Sequence, residues 1–416
     1  MGDYVLRCPG GDLVDNNIHT FSCPSGHKGL LRAEYSATSL VPSRFPGIYK
    51  FFDWLPVHSV IDTRSAPVAF QSERISRELG LKNLWIGFTG YYPERGAYTA
   101  SCSFKEMEAL PTFSRINDFG GGTVLLASAG NTARAFAQVA ADTGGRCVIV
   151  MPERSACKLR VTNDTGNVRL LTVKGDYTDA IEMSDRIAAL GGFILEGGAK
   201  NVARRDGLGT VLLEGALKMG RLPDHYFQAV GSGTGAISAW EASVRLIGDG
   251  RYGNRLPSLN LSQNLPFVPM VKAWDAGRRE ILKEDLTGSE DEIGQIYADV
   301  LTNRKPPYGV PGGVFDAMSA CGGRFIGISE ADAISAGKLW SSAESVSLDP
   351  AANVALASLI HAVEEGMVSK DDTILLNITG GGADRAEEDL ELVSIPSEIC
   401  LDKNISNEDL RGSVYG

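Results

Sequence analysis

Short apolar runs alternate along this chain with longer segments in which apolar residues recur every three or four positions. Short runs of this kind predict buried strands, and the periodic segments predict helices that pack one face on a sheet. The strands are predicted at residues 83–86, 123–126, 147–150, 168–173, 193–195, 226–230 and 373–378. The helices are predicted at 73–79, from the turn at Asn131 to Ala141, and at 177–190, 208–219, 236–246 and 351–365.

Strand, helix and strand follow one another at a spacing that predicts parallel pairing and an α/β fold. Residues 248–264 and 305–313 are rich in glycine, proline and polar residues, so they are predicted to be loops. The run at 45–56, FPGIYKFFDWLP, is aromatic with proline near both ends. We expect it to pack in the core and anchor the amino-terminal region.

Length and charge bound the class of protein. The 416 residues are 43% hydrophobic and carry a net charge of −11, which suits a globular chain of about two domains and argues against general binding to nucleic acid or anionic membranes. No apolar run approaches the roughly 18 residues that span a bilayer. The first residues lack the pattern of a signal peptide, and seven scattered cysteines favour reduced thiols, so a cytoplasmic location is expected.

Residues 1–35 predict a small ribbon with two turns of the zinc-knuckle type. Each knuckle needs a second sulfur, but Gly11 and Gly26 stand at those places. The remaining possible ligands are two cysteines and two histidines: Cys8, Cys23, His19 and His27. A closed zinc site needs four regularly spaced ligands, so we expect a degenerate ribbon without metal, with zinc as the alternative.

Lys105 is the candidate chemical centre, because it stands among small and hydroxyl residues in Ser101-Cys-Ser-Phe-Lys-Glu106. A lysine is most often a solvated surface charge, and that alternative stays open for these six residues alone. Glu106 suits the start of a helix better than acid catalysis. Cys102 suits packing better than nucleophilic attack.

A glycine-rich turn joins the strand at 226–230 to the next helix. Its residues are Gly231, Ser232, Gly233, Thr234 and Gly235. Alternating glycines expose backbone N–H groups at a helix N-terminus, which favours a phosphate. Neither a nucleotide P-loop nor a dinucleotide motif fits, since no Lys-Ser/Thr follows and the third glycine is missing. Close packing of helix and strand is the alternative explanation.

Two further turns complete a set of four features. Asn131 stands at a strand-to-helix turn, and Thr379 follows the strand at 373–378. Pyridoxal phosphate needs all four: a lysine that bonds its aldehyde, a phosphate cradle, a partner for its ring hydroxyl and a partner for its pyridine nitrogen. We assign these roles to Lys105, the glycine turn, Asn131 and Thr379 respectively.

These motifs resemble those of the fold type II pyridoxal phosphate enzymes, and within them the threonine synthases. The resemblance covers nearly the whole chain, including the ribbon at Cys8 and Cys23. The matching stretches are Ser103-Phe-Lys105, Ser128-Ala129-Gly130-Asn131-Thr132, Asn201-Val-Ala-Arg204 with Gly207 and Thr210, and Thr379-Gly-Gly. The resemblance implies a tryptophan synthase β-like fold with two open, twisted, mostly parallel sheets flanked by helices.

The resemblance also implies a division into domains. Residues 36–112 and 202–416 would form a large cofactor-binding domain, and 113–201 a small mobile domain. A homo-oligomer is expected.

Departures from the threonine synthase pattern are confined to a few positions. Glu106-Met107 replaces Asp-Arg, no lysine stands around Gly87, and Gly209 replaces a common lysine. We expect these changes to lie in the substrate half of the site. The overall pattern most resembles the cysteate synthases of methanogenic archaea, which implies that O-phospho-L-serine and sulfite give L-cysteate and phosphate, a step toward coenzyme M.

The resemblance places the substrate carboxylate on the turn formed by Ser128, Ala129, Gly130 and Thr132. Basic residues must hold the substrate phosphate and sulfite, with solvated surface charges as the alternative. The candidates are Arg154, Lys158, Arg160, Arg204 and Arg205, of which the resemblance favours Arg160 and Arg204 because they match basic positions of the family. Three other functions stay open: threonine synthase, a serine/threonine dehydratase, and a phosphometabolite-binding protein without catalysis.

Overall fold

Two separate sheets organise the protein, which we analysed as a computed structural model that describes residues 3–163, 166–286 and 296–415. The larger sheet has six strands in the order Arg324–Ile328, Ser258–Asn264, His225–Ala229, Thr373–Ile378, Asn83–Phe88 and Val68–Gln71. All neighbouring pairs are parallel except the last, which is antiparallel. The carboxyl ends of its central strands therefore open on one edge, where ligands bind in open α/β sheets.

The smaller sheet has five parallel strands in the order Phe193–Leu195, Thr123–Ala127, Arg146–Pro152, Val168–Lys174 and Ser397–Asp402. Its last strand comes from the carboxyl-terminal end of the chain, and the final helix, Asn407–Tyr415, also packs against this sheet's helix Tyr177–Ala189. The sequence had placed these residues with the large domain. The structure instead places their strand beside Val168–Lys174, because Leu401 and Leu410 are buried in the core of the smaller sheet. The division into domains itself remains a proposal.

Helices cover both sheets, as the sequence pattern predicted. In the described part of the chain the α-helices are Glu73–Leu79, Glu106–Asp118, Asn131–Thr143, Tyr177–Ala189, Val202–Met219, Thr234–Asp249, Pro269–Asp275, Val314–Cys321, Glu330–Ala343, Pro350–Glu364, Ala383–Asp389 and Asn407–Tyr415. The helix Val202–Met219 begins six residues before the predicted start, because the Asn201 side chain accepts the Ala203 N–H and caps it.

One predicted loop is a strand. Ser258–Asn264 lies between two parallel neighbours and is buried from its second residue onward. Its polar side chains obscured this in the sequence, but they accept backbone N–H groups: Gln263 Oε1 from Met270 (2.9 Å) and Asn264 Oδ1 from Ala298 (3.0 Å). Satisfied polar groups can be buried at little cost, so composition misled the prediction.

The amino-terminal ribbon is a three-stranded antiparallel sheet, with Tyr4–Arg7 between Leu13–Val14 and Arg32–Tyr35. Its buried side chains pack with Val202 at the start of the helix Val202–Met219. The aromatic run follows as the 3₁₀ segment Gly47–Trp54, whose side chains are mostly buried in the main core. Its predicted role in core packing is confirmed.

Two short antiparallel pairs complete the fold: Tyr91–Tyr92 with Ala97–Tyr98, and Arg160–Val161 with Val393–Ser394. None of the helices in the described ranges combines the length and apolar character that crossing a bilayer requires. All seven cysteines are free of disulfide bonds.

Candidate active site

The loop that carries Lys105 is joined to the loop that follows the strand Thr373–Ile378. The Phe104 N–H donates to the Thr379 carbonyl (2.9 Å), and the Gly381 N–H donates to the Cys102 carbonyl (3.1 Å). Cys102 adopts a left-handed conformation with φ of 52°, which turns the chain into the helix Glu106–Asp118. Lys105 and Thr379, far apart in sequence, are thus fixed on neighbouring backbone segments.

Burial sets the chemistry of the Lys105 amine. Removal from water lowers its pKa from the ordinary value, because the charged form loses hydration. Glu108 opposes this effect, since its Oε2 lies 3.5 Å from Lys105 Nζ and favours the ammonium form. Burial has the larger influence. The amine is therefore closer to its neutral, nucleophilic form at physiological pH than a surface lysine.

Arg204 reaches this lysine through Glu108. Its Nη2 donates to Glu108 Oε1 (2.5 Å), and its Nη1 donates to Glu196. The guanidinium is buried, and Glu108 is fully buried between the arginine and the lysine. Arg204, which the sequence offered as a substrate ligand, thus lies close to the chemical centre while bonded to two carboxylates.

The glycine-rich turn also packs against the lysine loop. A Cβ at Gly235 would lie 2.5 Å from Gln228 Nε2 and 2.8 Å from the ring of Phe104, the residue before Lys105. Gly233 has φ of 76°, a conformation that favours glycine. The turn ends in the helix Thr234–Asp249, and the Ser232 and Thr234 hydroxyls lie 2.9 Å apart. The backbone can therefore approach a phosphate closely at this helix N-terminus.

The loop that carries Asn131 is stabilised by hydrogen bonds to the side chain of Ser128. Ser128 Oγ accepts the N–H groups of Gly130 (3.4 Å) and Ala133 (3.2 Å) at the start of the helix Asn131–Thr143. Ala129 and Thr132 are partly buried in the same turn. A Cβ at Gly130 would lie 3.3 Å from Val300, whose carbonyl would also meet a Cβ at Gly231 at 3.0 Å. The asparagine loop and the glycine turn therefore flank one segment.

Asp349 links the asparagine loop to the threonine loop, and the sequence reasoning missed it. Asn131 Nδ2 donates to Asp349 Oδ2 (3.4 Å), and the Asp349 N–H donates to the Gly380 carbonyl (3.1 Å). Burial raises the pKa of Asp349, while Arg134 and Asn131 lower it. Its only sequence signal is its place before Pro350 at the start of a helix, which predicts a cap rather than a site residue.

Arg134 is the second residue that the sequence reasoning missed. Its Nη2 donates to Asn131 Oδ1 (3.2 Å) and lies 3.6 Å from Asp349 Oδ2. Its Nε is buried and has no hydrogen-bond partner in the described ranges. Arg134 lies about one helical turn after Asn131. The loop motif alone does not identify it, because its position beside Asn131 depends on the helix that begins there.

Two other basic candidates are more exposed than Arg204. Arg160 Nη1 pairs with Glu387 (2.7 Å) and is 40% exposed. Lys158 is 62% exposed and lies 3.6 Å from Asp299, next to the Val300 segment that borders the glycine turn. Lys158 is thus connected to the glycine-rich turn through its ion pair with Asp299. Among the described residues, the ion pair of Arg160 makes no such connection to that turn.

Two glycine departures from the threonine synthase pattern have packing causes. A Cβ at Gly87 would lie 2.8 Å from Val211 on the helix Val202–Met219, and a Cβ at Gly209 would lie 3.2 Å from the Ser238 carbonyl. A side chain at either position would meet a neighbouring element, and the expectation that these positions lie in the substrate half of the site stays a prediction. Glu106 is buried and accepts the Ser101 N–H (2.9 Å), which orders the lysine loop.

These observations fit pyridoxal phosphate. The fold brings together a lysine with a lowered pKa, a turn whose three glycines pack too closely on their neighbours to carry a Cβ, an asparagine and a threonine, all on loops that contact one another. The lysine would hold the cofactor covalently, and the glycine turn would hold its phosphate.

Comparisons with known proteins agree with this arrangement. Residues 67–380 match the family described as "Pyridoxal-phosphate dependent enzyme". Among solved structures, maize serine racemase matches with a TM-score of 0.58 and 16% identity over 77% of this chain and 90% of that one. Threonine deaminase isoform 2 from Solanum lycopersicum matches with a TM-score of 0.57 and 16% identity over 85% and 96%. The predicted fold class and cofactor are confirmed.

Curated relatives match at much higher identity. Cysteate synthase of Methanocorpusculum labreanum is 56% identical over 95% of this chain and 97% of its own length. Cysteate synthase of Methanospirillum hungatei is 51% identical over 100% and 98%, and that of Methanosarcina acetivorans is 49% identical over 99% and 98%. These matches confirm the resemblance that the motifs predicted. The chain belongs to the cysteate synthase family of pyridoxal-phosphate dependent enzymes.

Proposed function

We propose that this protein acts as a cysteate synthase that replaces the phosphate of O-phospho-L-serine with sulfite. The C–O bond at the β-carbon breaks, phosphate leaves, and the sulfite sulfur bonds to the same carbon to give L-cysteate. The full-length identity of 56% to cysteate synthase of Methanocorpusculum labreanum carries this proposal. Threonine synthase and dehydratase activities are the alternatives, and no relative reported above bears either name at comparable identity.

Lys105 is the residue that we propose moves the proton. Bound pyridoxal phosphate stabilises negative charge at the substrate α-carbon. The Lys105 amine, whose pKa is lowered by burial, can then take the proton from that carbon and return it after sulfite has added. Glu108 Oε2 lies 3.5 Å from Lys105 Nζ and holds the amine near the start of the helix Glu106–Asp118.

Thr379 and Asn131 are proposed to contact two different polar groups of the cofactor ring, the pyridine nitrogen and the ring hydroxyl. A neutral hydroxyl at the pyridine nitrogen does not keep that nitrogen protonated as a carboxylate would, which favours elimination over transamination. Thr379 is partly buried, and its carbonyl already accepts the Phe104 N–H. Asn131 is fixed by Arg134 and Asp349, so its amide is preorganised to bond the ring hydroxyl.

The substrate carboxylate is proposed to bind the turn from Ser128 to Thr132. Ser128 Oγ takes the N–H groups of Gly130 and Ala133, so it shapes the turn itself. The helix Asn131–Thr143 begins there, and its N-terminus favours an anion. We therefore place the carboxylate on the N–H groups of Ala129, Asn131 and Thr132.

Lys158 is the basic residue best supported as a ligand for the substrate phosphate or for sulfite. It is exposed, and its partner Asp299 adjoins the segment that touches the glycine turn. Arg204 would have to exchange a buried carboxylate partner for substrate, and Arg160 would have to leave Glu387. Both remain candidates through the resemblance.

Product analysis tests the proposal. The purified protein, supplied with pyridoxal phosphate and O-phospho-L-serine, is incubated with sulfite, sulfide or no nucleophile, and cysteate and phosphate are quantified. We expect cysteate and phosphate in equal amounts with sulfite only. Phosphate release without cysteate, or equal turnover of phosphohomoserine to threonine, would overturn the assignment.

Lysine variants provide the matched control for this assay. Lys105→Ala should abolish both product formation and the visible band that borohydride removes. Lys82→Ala alters an exposed lysine, 62% exposed and paired with Asp371, and should leave both unchanged. A colourless wild-type protein that takes up no pyridoxal phosphate would favour a phosphometabolite-binding role.

We also propose a cytoplasmic location and a homo-oligomer. Seven cysteines without a disulfide support a reducing compartment. The oligomer rests on the resemblance alone, and sedimentation analysis of the purified protein will test it.

A further inference from the structure

Two turns of the amino-terminal ribbon share one shape and one pattern of donor side chains. In each, a glycine with positive φ donates its N–H to the carbonyl of the cysteine three residues earlier: Gly11 to Cys8 (2.9 Å) and Gly26 to Cys23 (3.1 Å). The residue after each glycine carries a second donor. The four donors, one cysteine and one further residue from each turn, are Cys8 with Asp12 and Cys23 with His27.

The donor atoms converge on one point. All four lie within 4.8 Å of one another. His27 Nδ1 lies 3.3 Å from Cys8 Sγ, 3.5 Å from Cys23 Sγ and 3.3 Å from Asp12 Oδ2. Ligands of one tetrahedral zinc ion, at bond lengths of about 2.0 to 2.3 Å, are separated by about 3.3 to 3.8 Å. The three separations from His27 Nδ1 lie within that range.

Hydrogen bonding alone does not account for this cluster. A ring nitrogen has one proton or one lone pair, so His27 Nδ1 can bond one of its three neighbours and not all three. A cation at the centre would bond all four donor atoms at once. Cys8 and Cys23 are buried, whereas Asp12 and His27 are about half exposed and leave a path for an ion.

We propose that the ribbon binds one zinc ion through Cys8, Asp12, Cys23 and His27. Two thiolates, an imidazole and a carboxylate form a closed set of four protein ligands, which is typical of a structural site. The sequence had favoured a ribbon without metal, because glycines stand at the usual second-cysteine positions. The fold shows that the second ligand of each turn is displaced by one residue, to Asp12 and His27.

The ion would stabilise the ribbon rather than take part in catalysis. It would join the turn after the strand Tyr4–Arg7 to the turn that precedes Leu31. Leu31 and Cys23 pack with Val202, two residues before Arg204. The site therefore secures the surface against which the helix Val202–Met219 begins.

Metal analysis of the purified full-length protein tests the site. After incubation with Zn²⁺ and dialysis against a weak chelator, we expect one zinc ion per chain by mass spectrometry of the metal content. Asp12→Ala and His27→Ala should lose most of the bound zinc. Asp15→Ala and His19→Ala are matched controls in the same ribbon, and His19 is outside the cluster; both should keep it.

A second measurement uses only the wild-type protein, so its result does not depend on the folding of variants. Cobalt bound by the wild-type protein should give a thiolate charge-transfer band, and zinc should protect Cys8 and Cys23 from a thiol reagent while exposed Cys157 reacts at an unchanged rate. The proposal is overturned if the wild-type protein retains no zinc and its ribbon thiols react equally with and without the ion. It is also overturned if His19→Ala loses as much zinc as His27→Ala.

Discussion

Two opposing influences act on Lys105, and their balance decides its reactivity. Burial removes water from the amine and lowers its pKa, whereas the carboxylate of Glu108 raises it. Arg204 pairs with the same carboxylate and itself lowers the lysine pKa. The partly buried lysine and its buried glutamate and arginine neighbours therefore set the pH at which the amine becomes a nucleophile.

Replacing Glu108 should shift this balance in a defined direction. An amine reacts with the cofactor aldehyde only when neutral, so the rate of cofactor attachment rises as pH increases through the lysine pKa. Glu108→Gln removes the group that favours the ammonium form. The midpoint of the attachment rate against pH should therefore move to lower pH, measured by the appearance of the visible band after adding pyridoxal phosphate to the apoprotein.

Glu398→Gln is the control for that experiment, because Glu398 pairs with Arg169 in the smaller sheet. Its midpoint should equal that of the wild-type protein. An unchanged or higher midpoint in Glu108→Gln would contradict the role assigned to this carboxylate.

The cradle can be tested at a single glycine. A Cβ at Gly235 would lie 2.5 Å from Gln228 and 2.8 Å from Phe104, so the turn in Gly235→Ala must shift. Overpacking of this kind costs about 1–3 kcal/mol, and a 1.4 kcal/mol loss is a tenfold change in affinity. We expect cofactor binding to weaken by roughly tenfold, measured by equilibrium titration of the apoprotein.

Gly248→Ala gives the matched comparison in the same helix, Thr234–Asp249. A Cβ there meets nothing within 4 Å. Cofactor affinity should stay unchanged, and stability should equal the wild type or rise by about 0.5–1 kcal/mol. Equal affinity in both alanine variants would mean that the glycine turn does not hold the phosphate.

At the scale of elements, close packing of two helices positions the lysine. Gly207 in the helix Val202–Met219 faces the helix Glu106–Asp118, and a Cβ there would collide with the Met107 carbonyl. Met107 lies two residues after Lys105. The glycine therefore fixes how near the lysine-bearing helix can approach its neighbour.

Gly207→Ala should destabilise the protein, because the two helices must separate. The expected loss is about 1–3 kcal/mol or more in the free energy of unfolding, measured from urea midpoints at constant slope. Gly248→Ala again serves for comparison. If Gly207→Ala unfolds at the wild-type midpoint, the close contact between these helices is not rigid.

Most of the elements could be predicted because their apolar pattern is local. Thirteen segments were predicted as strands or helices, and observed strands such as Phe193–Leu195 and Thr373–Ile378 have the predicted bounds. The strand Ser258–Asn264 could not be predicted, because its polar side chains bond backbone groups outside the strand. Its assignment depends on those partners and not on its own composition.

The same distinction holds for the candidate site. Lys105, Asn131, the glycine turn and Thr379 stand in short motifs, so the sequence could single them out. Asp349 and Arg134 carry no motif, and their place beside Asn131 follows only from the packing of three loops. The roles assigned to the motif residues remain predictions until variants are assayed.

At the scale of the whole molecule, the carboxyl-terminal end completes a sheet formed more than two hundred residues earlier. Ser397–Asp402 pairs in parallel with Val168–Lys174. Leu401 is 1% exposed and packs with Val148 and Val173. The end of the chain is therefore part of the core of the smaller sheet.

Leu401→Ala should be costly although it lies near the end of the chain. Truncating a buried leucine costs about 2–5 kcal/mol, and amide hydrogen exchange should show the loss as weaker protection in Arg146–Pro152 and Val168–Lys174. Leu13→Ala, at a residue 64% exposed, should leave both measurements unchanged. Normal protection in Leu401→Ala would show that the smaller sheet does not need its last strand.

This strand also imposes an order on biosynthesis. The smaller sheet cannot be finished until Ser397–Asp402 has left the ribosome, because this fifth strand is translated more than two hundred residues after the other four. Until then Val168–Lys174 is an open edge with unpaired backbone groups, the kind of surface that pairs with other chains. Nascent or prematurely ended chains are thus the molecules most prone to aggregation, and they are the ones that would need chaperones.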